Sequence, residues 1–301
     1  MNRQSTEAKV VFWGFLSPTL FAFVMIIVIP FILGVYYSFT EWTGVAGASN
    51  AWVGLQNYAH LLREKRFFYS FAVTAAYSLV SMVVINLVAF VLALLVTQEL
   101  KGRNIYRAGF FLPNVIGGLI LGYIWQFVFN SALPKLGDLL SIGFLRKSML
   151  ADPRTAFFAL VFVVSWQYAG YIMMIYVAAL QNVPQELLEA AAIDGAGPWQ
   201  RLRHITLPMI APAFTVNSFL TLVNSFKQFD VNVSLTGGMP TTTFAGEPVF
   251  ATELLAMNIY NTAFAMNDYA RGQAKAVVFF VVLTVLSLLQ VYFNKKREVE
   301  L

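Results

Sequence analysis

Phe68–Thr97 reads FYSFAVTAAYSLVSMVVINLVAFVLALLVT, without one charged residue, glycine or proline. A helix needs about 20 apolar residues to cross a hydrocarbon core of about 30 Å. In lipid each backbone N–H and C=O must be satisfied within its own segment, so a single run of this kind is a transmembrane helix. Five further runs approach that length: Val10–Phe39, interrupted by Pro18 and Pro30; Ala108–Asn130, with Pro113, Gly117 and Gly118 inside it; Thr155–Gln181; Ile210–Leu235; and Ala274–Asn294. The expected fold class is an all-α membrane protein with six transmembrane helices.

Composition supports this reading. Only 12% of the 301 residues are charged and 58% are hydrophobic, against roughly 25% charged in a soluble domain. So little charge cannot cover a water-facing surface, and membrane lipid is the expected surroundings. The chain has no cysteine, which excludes disulfides, thiolate metal sites and cysteine nucleophiles. His60 and His204 are too far apart for metal-ligand spacing, so no metal site and no catalytic site are expected. No basic run interleaved with aromatics suggests nucleic acid. No phosphate-loop pattern occurs, and the dipeptide Gly-Lys is missing, so this chain is expected to bind no nucleotide cofactor and to be no enzyme. Arg3 and Lys9 precede an apolar run too long for a signal-peptide core, which reads as a retained first helix. With residues 1–10, 98–107, 182–209 and 295–301 inside, Lys and Arg are denser inside than outside. That density favours cytoplasmic N- and C-termini in a multi-pass membrane protein.

One inside segment, Asn182–Met209, is long and partly polar. It begins NVPQELLEAAAIDG. Pro184 suits a first helical turn, and Glu186 and Glu189 lie where the helix dipole favours anions. Ala190–Ala192 leaves a smooth face. Gly195 and Gly197 break the helix, and Pro198 starts a second one through Ile205. The result is helix, bend, helix at the membrane surface. Physics alone leaves two uses open, an interfacial linker or an element that docks into a partner's groove.

Within this segment Glu189-Ala190-Ala191, three residues, Gly195, nine residues, Ile205, one residue and Leu207-Pro208 resemble the "EAA" motif of the membrane subunits of ATP-binding-cassette importers. Further matches point to the maltose-type sugar permease branch: Gly54-Leu55-Gln56-Asn57-Tyr58, Ala178-Ala179-Leu180-Gln181-Asn182-Val183-Pro184, and Phe229-Asp230 followed by Leu235-Thr236-Gly237-Gly238. Met239 before Pro240 departs slightly from that branch. The resemblance implies a type I importer transmembrane domain over residues 68–294, with a coupling loop at 182–209. Residues 1–67 would form a first helix and outer loop, and 295–301 a cytoplasmic tail. It implies ATPase-coupling roles for Glu186, Glu189, Ala190, Ala191, Asp194, Gly195, Ile205, Leu207 and Pro208. It also implies partners: a second, homologous permease subunit in a heterodimer, two copies of an ATPase subunit carrying ATP and Mg, and an extracytoplasmic solute-binding protein. The expected function is import of a sugar or oligosaccharide. A polyol or glycerol phosphate is the alternative solute. An ion-coupled transporter would instead need ionisable groups deep in several spans, and these are scarce.

Polar residues within spans are costly and often mark a pathway. Asn217, Thr221, Asn224 and Gln228 step by four, three and four along one expected helical face. The fourth run adds Trp166, Gln167, Tyr168 and Tyr171. Sugar recognition uses such amides and hydroxyls beside aromatic rings, and the substrate candidates are Trp166, Gln167, Tyr168, Tyr171, Thr221, Asn224, Ser225 and Gln228. The same residue types also hold membrane helices together without touching substrate. Lys227 and Asp230, three apart, are expected to pair on one helix; the other reading is that Lys227 attracts an anionic sugar. Glu247, Glu253 and Asp268 fall in the outer loop, where they are expected to be solvated or free for a docking protein.

Overall fold

The computed structural model describes residues 3–45, 50–98 and 101–295. Of the expected tail at 295–301 only the backbone of residue 295 is described; Lys296 and Arg297, used for orientation, lie outside the described residues, as do the Arg3 and Lys295 side chains. The chain divides into two contact units, one formed by the described parts of Met1–Glu64 with Ile259–Phe280, the other by Lys65–Asn258 with the described part of Val281–Leu301.

In the first unit α1 (Ala8–Tyr37) is a membrane-length helix that relaxes into a π-turn at Val24–Val28 just ahead of Pro30. Such a turn accommodates a proline that cannot donate to the helix ladder. A short helix α2 (Gln56–Leu61) follows. The Asn57 amide donates to the carbonyls of Ser38 at 2.9 Å and Thr40 at 2.8 Å, and the Tyr58 and Ser38 hydroxyls meet at 2.6 Å. The Gly-Leu-x-Asn-Tyr stretch therefore fastens the loop after α1 to the end of that helix. Lys275, near the start of the last helix and 2% exposed, binds Glu64 at 2.6 Å and the Thr262 hydroxyl at 2.8 Å.

The second unit is built on α3 (Lys65–Thr97). After it come α4 (Arg103–Val115) and α5 (Gly118–Leu139), which meet at a 96° bend. The helix α6 (Pro153–Gln181) starts at Asp152, whose carboxylate caps the N–H groups of Arg154 and Thr155 with Pro153 in the first turn, the favoured arrangement for a helix start. The remaining helices are α7 (Gln185–Ile193), α8 (Pro198–Met209), α9 (Ala211–Phe226) at 68° to α8, and α10 (Asp230–Leu235). A β-hairpin joins β1 (Thr241–Phe244) to β2 (Glu247–Phe250) antiparallel, and α11 (Leu255–Tyr260) and α12 (Tyr269–Lys295) complete the chain. Four helices are long and apolar enough to cross a membrane alone, and each bent pair adds one span if counted together.

Two of the expected spans are therefore not continuous helices. Ala108–Asn130 breaks at Ile116 and Gly117, where Pro113 and the glycine pair weaken the ladder. Ile210–Leu235 breaks at Lys227–Phe229, between α9 and α10. The hairpin also departs from an all-α chain. Lipid supplies no hydrophobic drive between helices, so small residues and hydrogen bonds do the packing. Ala89 and Ala93 of α3 sit with Ile172, Met173 and Tyr176 of α6 in one buried cluster. Gly118 and Gly122 of α5 let it lie against α10: a Cβ at Gly118 would come within 2.9 Å of the Asp230 Cβ, and one at Gly122 would overlap Ser234.

Candidate functional site

The loop after α6 folds as the sequence indicates. Pro184 is the N-cap of α7 rather than part of its first turn, and Glu186 lies in that turn. At the other end Asp194 is the C-cap and Gly195 takes φ +86°. The Gly195 N–H reaches Ala192 O at 3.1 Å and the Ala196 N–H reaches Ala191 O at 2.8 Å. These are the two bonds of a Schellman stop, whose left-handed residue is normally glycine. The Gly197 N–H then binds Gln200 Oε1 at 2.8 Å as α8 begins. Ile205, Leu207 and Pro208 lie half-buried in α8, while Glu186, Glu189, Ala190 and Asp194 are exposed and Ala191 is half-buried.

No side chain of α7 is buried, and Ile193 is 87% exposed. Neither Glu186 nor Glu189 forms an ion pair among the described residues. Ala191, Asp194, Gly195, Gln200, Arg201, His204 and Ile205 line a hollow of about 510 Å³ in the crook between α7 and α8. Exposed apolar surface, free carboxylates and a rigid bend are what a helix needs to seat in another protein's groove.

The second site lies where the two broken spans meet α6. Gly118, Gln167, Tyr168, Asn224, Lys227, Gln228, Phe229, Asp230 and Val231 line a polar cavity of about 190 Å³. Irregular backbone at membrane depth is tolerated where it borders a cavity and other groups satisfy its polar atoms. Here the Gln167 amide donates to the carbonyl of Ile116, at the break itself, at 3.1 Å. The Gln126 amide donates to Leu235 O at 3.1 Å. Behind α10 the Asn232 side chain donates to Thr252 O at 2.8 Å and accepts from the Leu254 N–H at 3.2 Å. Sequence reasoning missed Asn232. Besides Thr236 one turn on, the partners that tie it to the rest of the fold lie twenty and twenty-two residues away, beyond any local pattern.

Of the substrate candidates, Gln167, Tyr168, Asn224 and Gln228 come together at this cavity. The others do not line it. Thr221 accepts a hydrogen bond from Asn86 at 2.9 Å. Thr221 and Ser225 border a closed gap too small for water. Tyr171 packs beside the Ile172 and Tyr176 cluster. Trp166 meets Trp125 edge-on, with centroids 5.5 Å apart, and borders a larger groove of about 630 Å³. That groove is almost wholly apolar and offers a hydroxyl-rich solute nothing to bind.

The expected Lys227–Asp230 pairing on one helix is not met. Lys227 ends α9 and Asp230 begins α10, so the i,i+3 geometry is lost. Both face the cavity, and no ion pair joins them among the described residues. Glu253 is not solvated either. It is fully buried, held by Arg66 through two bonds of 2.7 and 2.5 Å, with Ser70 at 3.3 Å and Asn258 at 3.1 Å. Glu247 pairs with Lys65 at 2.9 Å and Asp268 with Arg271 at 3.1 Å.

A membrane bundle with two broken spans and an exposed helix–bend–helix fits a transport subunit driven from outside the chain. Comparison confirms the class: residues 85–299 match the profile of the binding-protein-dependent transport system inner membrane component, and the chain belongs to that family. It is 45% identical over 290 residues, 96% of each chain, to the probable starch degradation products transport system permease protein AmyD of Thermoanaerobacterium thermosulfurigenes. It is 33% identical over 287 residues, 95% of this chain and 96% of the other, to the multiple sugar-binding transport system permease protein MsmF of Streptococcus mutans. Its fold matches a bacterial ABC transporter involved in import of the acidic polysaccharide alginate, with a TM-score of 0.81 at 22% identity, over 97% of this chain and 98% of that one.

Proposed function

We propose that this chain is a permease subunit of an ATP-binding-cassette importer that carries a sugar or oligosaccharide across the bacterial inner membrane. The polar cavity between α6 and the ends of α9 and α10 carries this reading. Gln167, Asn224 and Gln228 supply amides there, and Tyr168 supplies a ring, the groups that bind sugar hydroxyls and C–H faces. The sugar-related names of the similar permeases support the same solute class. With α4 and α5 together as one span and α9 with α10 as another, the spans number six, with both termini cytoplasmic.

A second, homologous permease subunit encloses the path from the other side as a heterodimer. A solute-binding protein delivers the sugar from outside. Two ATPase subunits bind ATP and Mg, and their closure moves α7 and α8. The Schellman bend at Gly195 makes those helices a rigid lever, and α8 passes the motion directly into α9, whose far end borders the cavity. Glu189 is the principal contact to the ATPase.

Lys227 at the cavity favours one variant, a solute carrying phosphate or carboxylate. Uptake by the full assembly in liposomes decides among them. ATP-dependent accumulation of neutral oligosaccharides is expected, while preference for a phosphorylated polyol would replace the sugar reading. Transport by this chain without an ATPase would overturn the proposal altogether. Glu189→Lys should abolish coupled uptake and leave the helical content of the chain unchanged.

A further inference from the structure

The polar tie among α3, α6 and α9 has one more member than it uses. Asn86 of α3 accepts from the Tyr176 hydroxyl of α6 at 2.7 Å and donates to Thr221 of α9 at 2.9 Å. Its amide also donates to Met82 O at 2.8 Å, one turn back. Thr221 in turn donates to Asn217 O at 2.7 Å. The Asn217 side chain, one turn before Thr221 on the same helix, is fully buried. Its neighbours on the same face of α9 flank Tyr176: Phe214 packs on the Tyr176 ring and Thr221 binds Asn86, which holds the Tyr176 hydroxyl. Yet neither the side-chain oxygen nor the nitrogen of Asn217 makes a hydrogen bond among the described residues. Phe214, one turn earlier again, packs on the Tyr176 ring with centroids 4.8 Å apart, so this face of α9 is pressed against α6.

A buried amide with both atoms unpartnered is costly and calls for a reason. A leucine would fill the place without that cost. Asn217 also sits on the helix that continues from the bent loop to the cavity, where displacement of the loop must be absorbed. We infer that Tyr176 exchanges its hydroxyl between two acceptors, Asn86 in the conformation described and Asn217 in a second one. Asn217 and Tyr176 thereby act as positioning residues that balance two placements of α9 against α3 and α6. The amide left idle in one state is the partner held ready for the other. Two discrete hydrogen-bonded arrangements give the bundle two defined positions instead of a continuous range.

This inference rests on the reading of the chain as a permease, but part of its test does not. The chain lacks cysteine, so Met174→Cys on α6 and Val216→Cys on α9, both exposed, place spin labels across the contact in the purified assembly. Two distance populations are expected, with their ratio changed by ATP. Asn217→Leu and Tyr176→Phe should each collapse them to one. In liposomes each variant should lower solute moved per ATP hydrolysed by about tenfold, with the apparent KM for loaded binding protein within about twofold, a split that a loosened fold would not give. Asn217→Thr, which keeps a donor and an acceptor, should restore part of the coupling. Tyr176→Phe decides the matter if Asn217→Leu fails to assemble. An unchanged pair of distance populations in Tyr176→Phe overturns the inference, whatever solute the transporter proves to carry.

Discussion

The cavity around the broken spans and the bend between α7 and α8 are opposite kinds of surface. At the cavity the chain satisfies itself. Gln167 covers the loose carbonyl of Ile116, Asn232 ties α10 to the stretch after the hairpin, and just beyond the start of that stretch, away from the cavity lining, Arg66 neutralises Glu253. At the bend the backbone is satisfied by its own Schellman bonds, but the side chains of α7 are left bare. The first region costs much to disturb and holds the fold. The second costs little to disturb, and in the proposed function it is completed by an ATPase subunit.

That contrast can be tested by substitution. The largest effect should come from Arg66→Ala, which strands a buried carboxylate. A loss of about 3–5 kcal/mol is expected, read as a large drop in the thermal midpoint in detergent. A small drop would mean Glu253 finds water and the outer region is not self-contained. Next, Gly122→Val forces α5 away from Ser234, and overpacking of this kind costs about 1–3 kcal/mol. A cavity that keeps its solute affinity in that variant would show that α5 does not position it. Asn224→Ala should leave the midpoint nearly unchanged and weaken solute transport by about tenfold, the worth of one or two hydrogen bonds. Smallest of all for stability is Ile193→Ala on α7, expected within about 0.5 kcal/mol. The same change should weaken ATPase association by about 1 kcal/mol or more, measured by binding of the purified subunit. A destabilised chain with normal association would invert the comparison.

The two regions also differ in how far the sequence announces them. The bend is local: Pro184, the alanine run, Gly195, Gly197 and Pro198 each carry their own conformational instruction within a few residues, and the motif reads directly. The first broken span was half-announced by Pro113 and Gly117–Gly118, which allow a break without requiring one. The second was silent. Lys227-Gln228-Phe229 contains no glycine or proline, and the helix that follows it is fixed by bonds from Asn232 to Thr252 and Leu254. Periodicity consequently placed Asn224 and Gln228 on one helical face. Both do meet the cavity, but Gln228 arrives there from the break. Thr221 looked like a lining residue because it is polar and in phase; its partner Asn86 lies 135 residues earlier, beyond the reach of any local pattern.

Lys275 and Glu64 give the chain a timetable. They are 211 residues apart, and synthesis at about 5–20 residues per second separates them by roughly 10–40 s. During that interval Glu64 has no cation from the last helix. A chain lacking α12 would leave that carboxylate without its Lys275 partner throughout. The ion pair closes only once α12 has been made, so the contact unit that is begun first is also finished late.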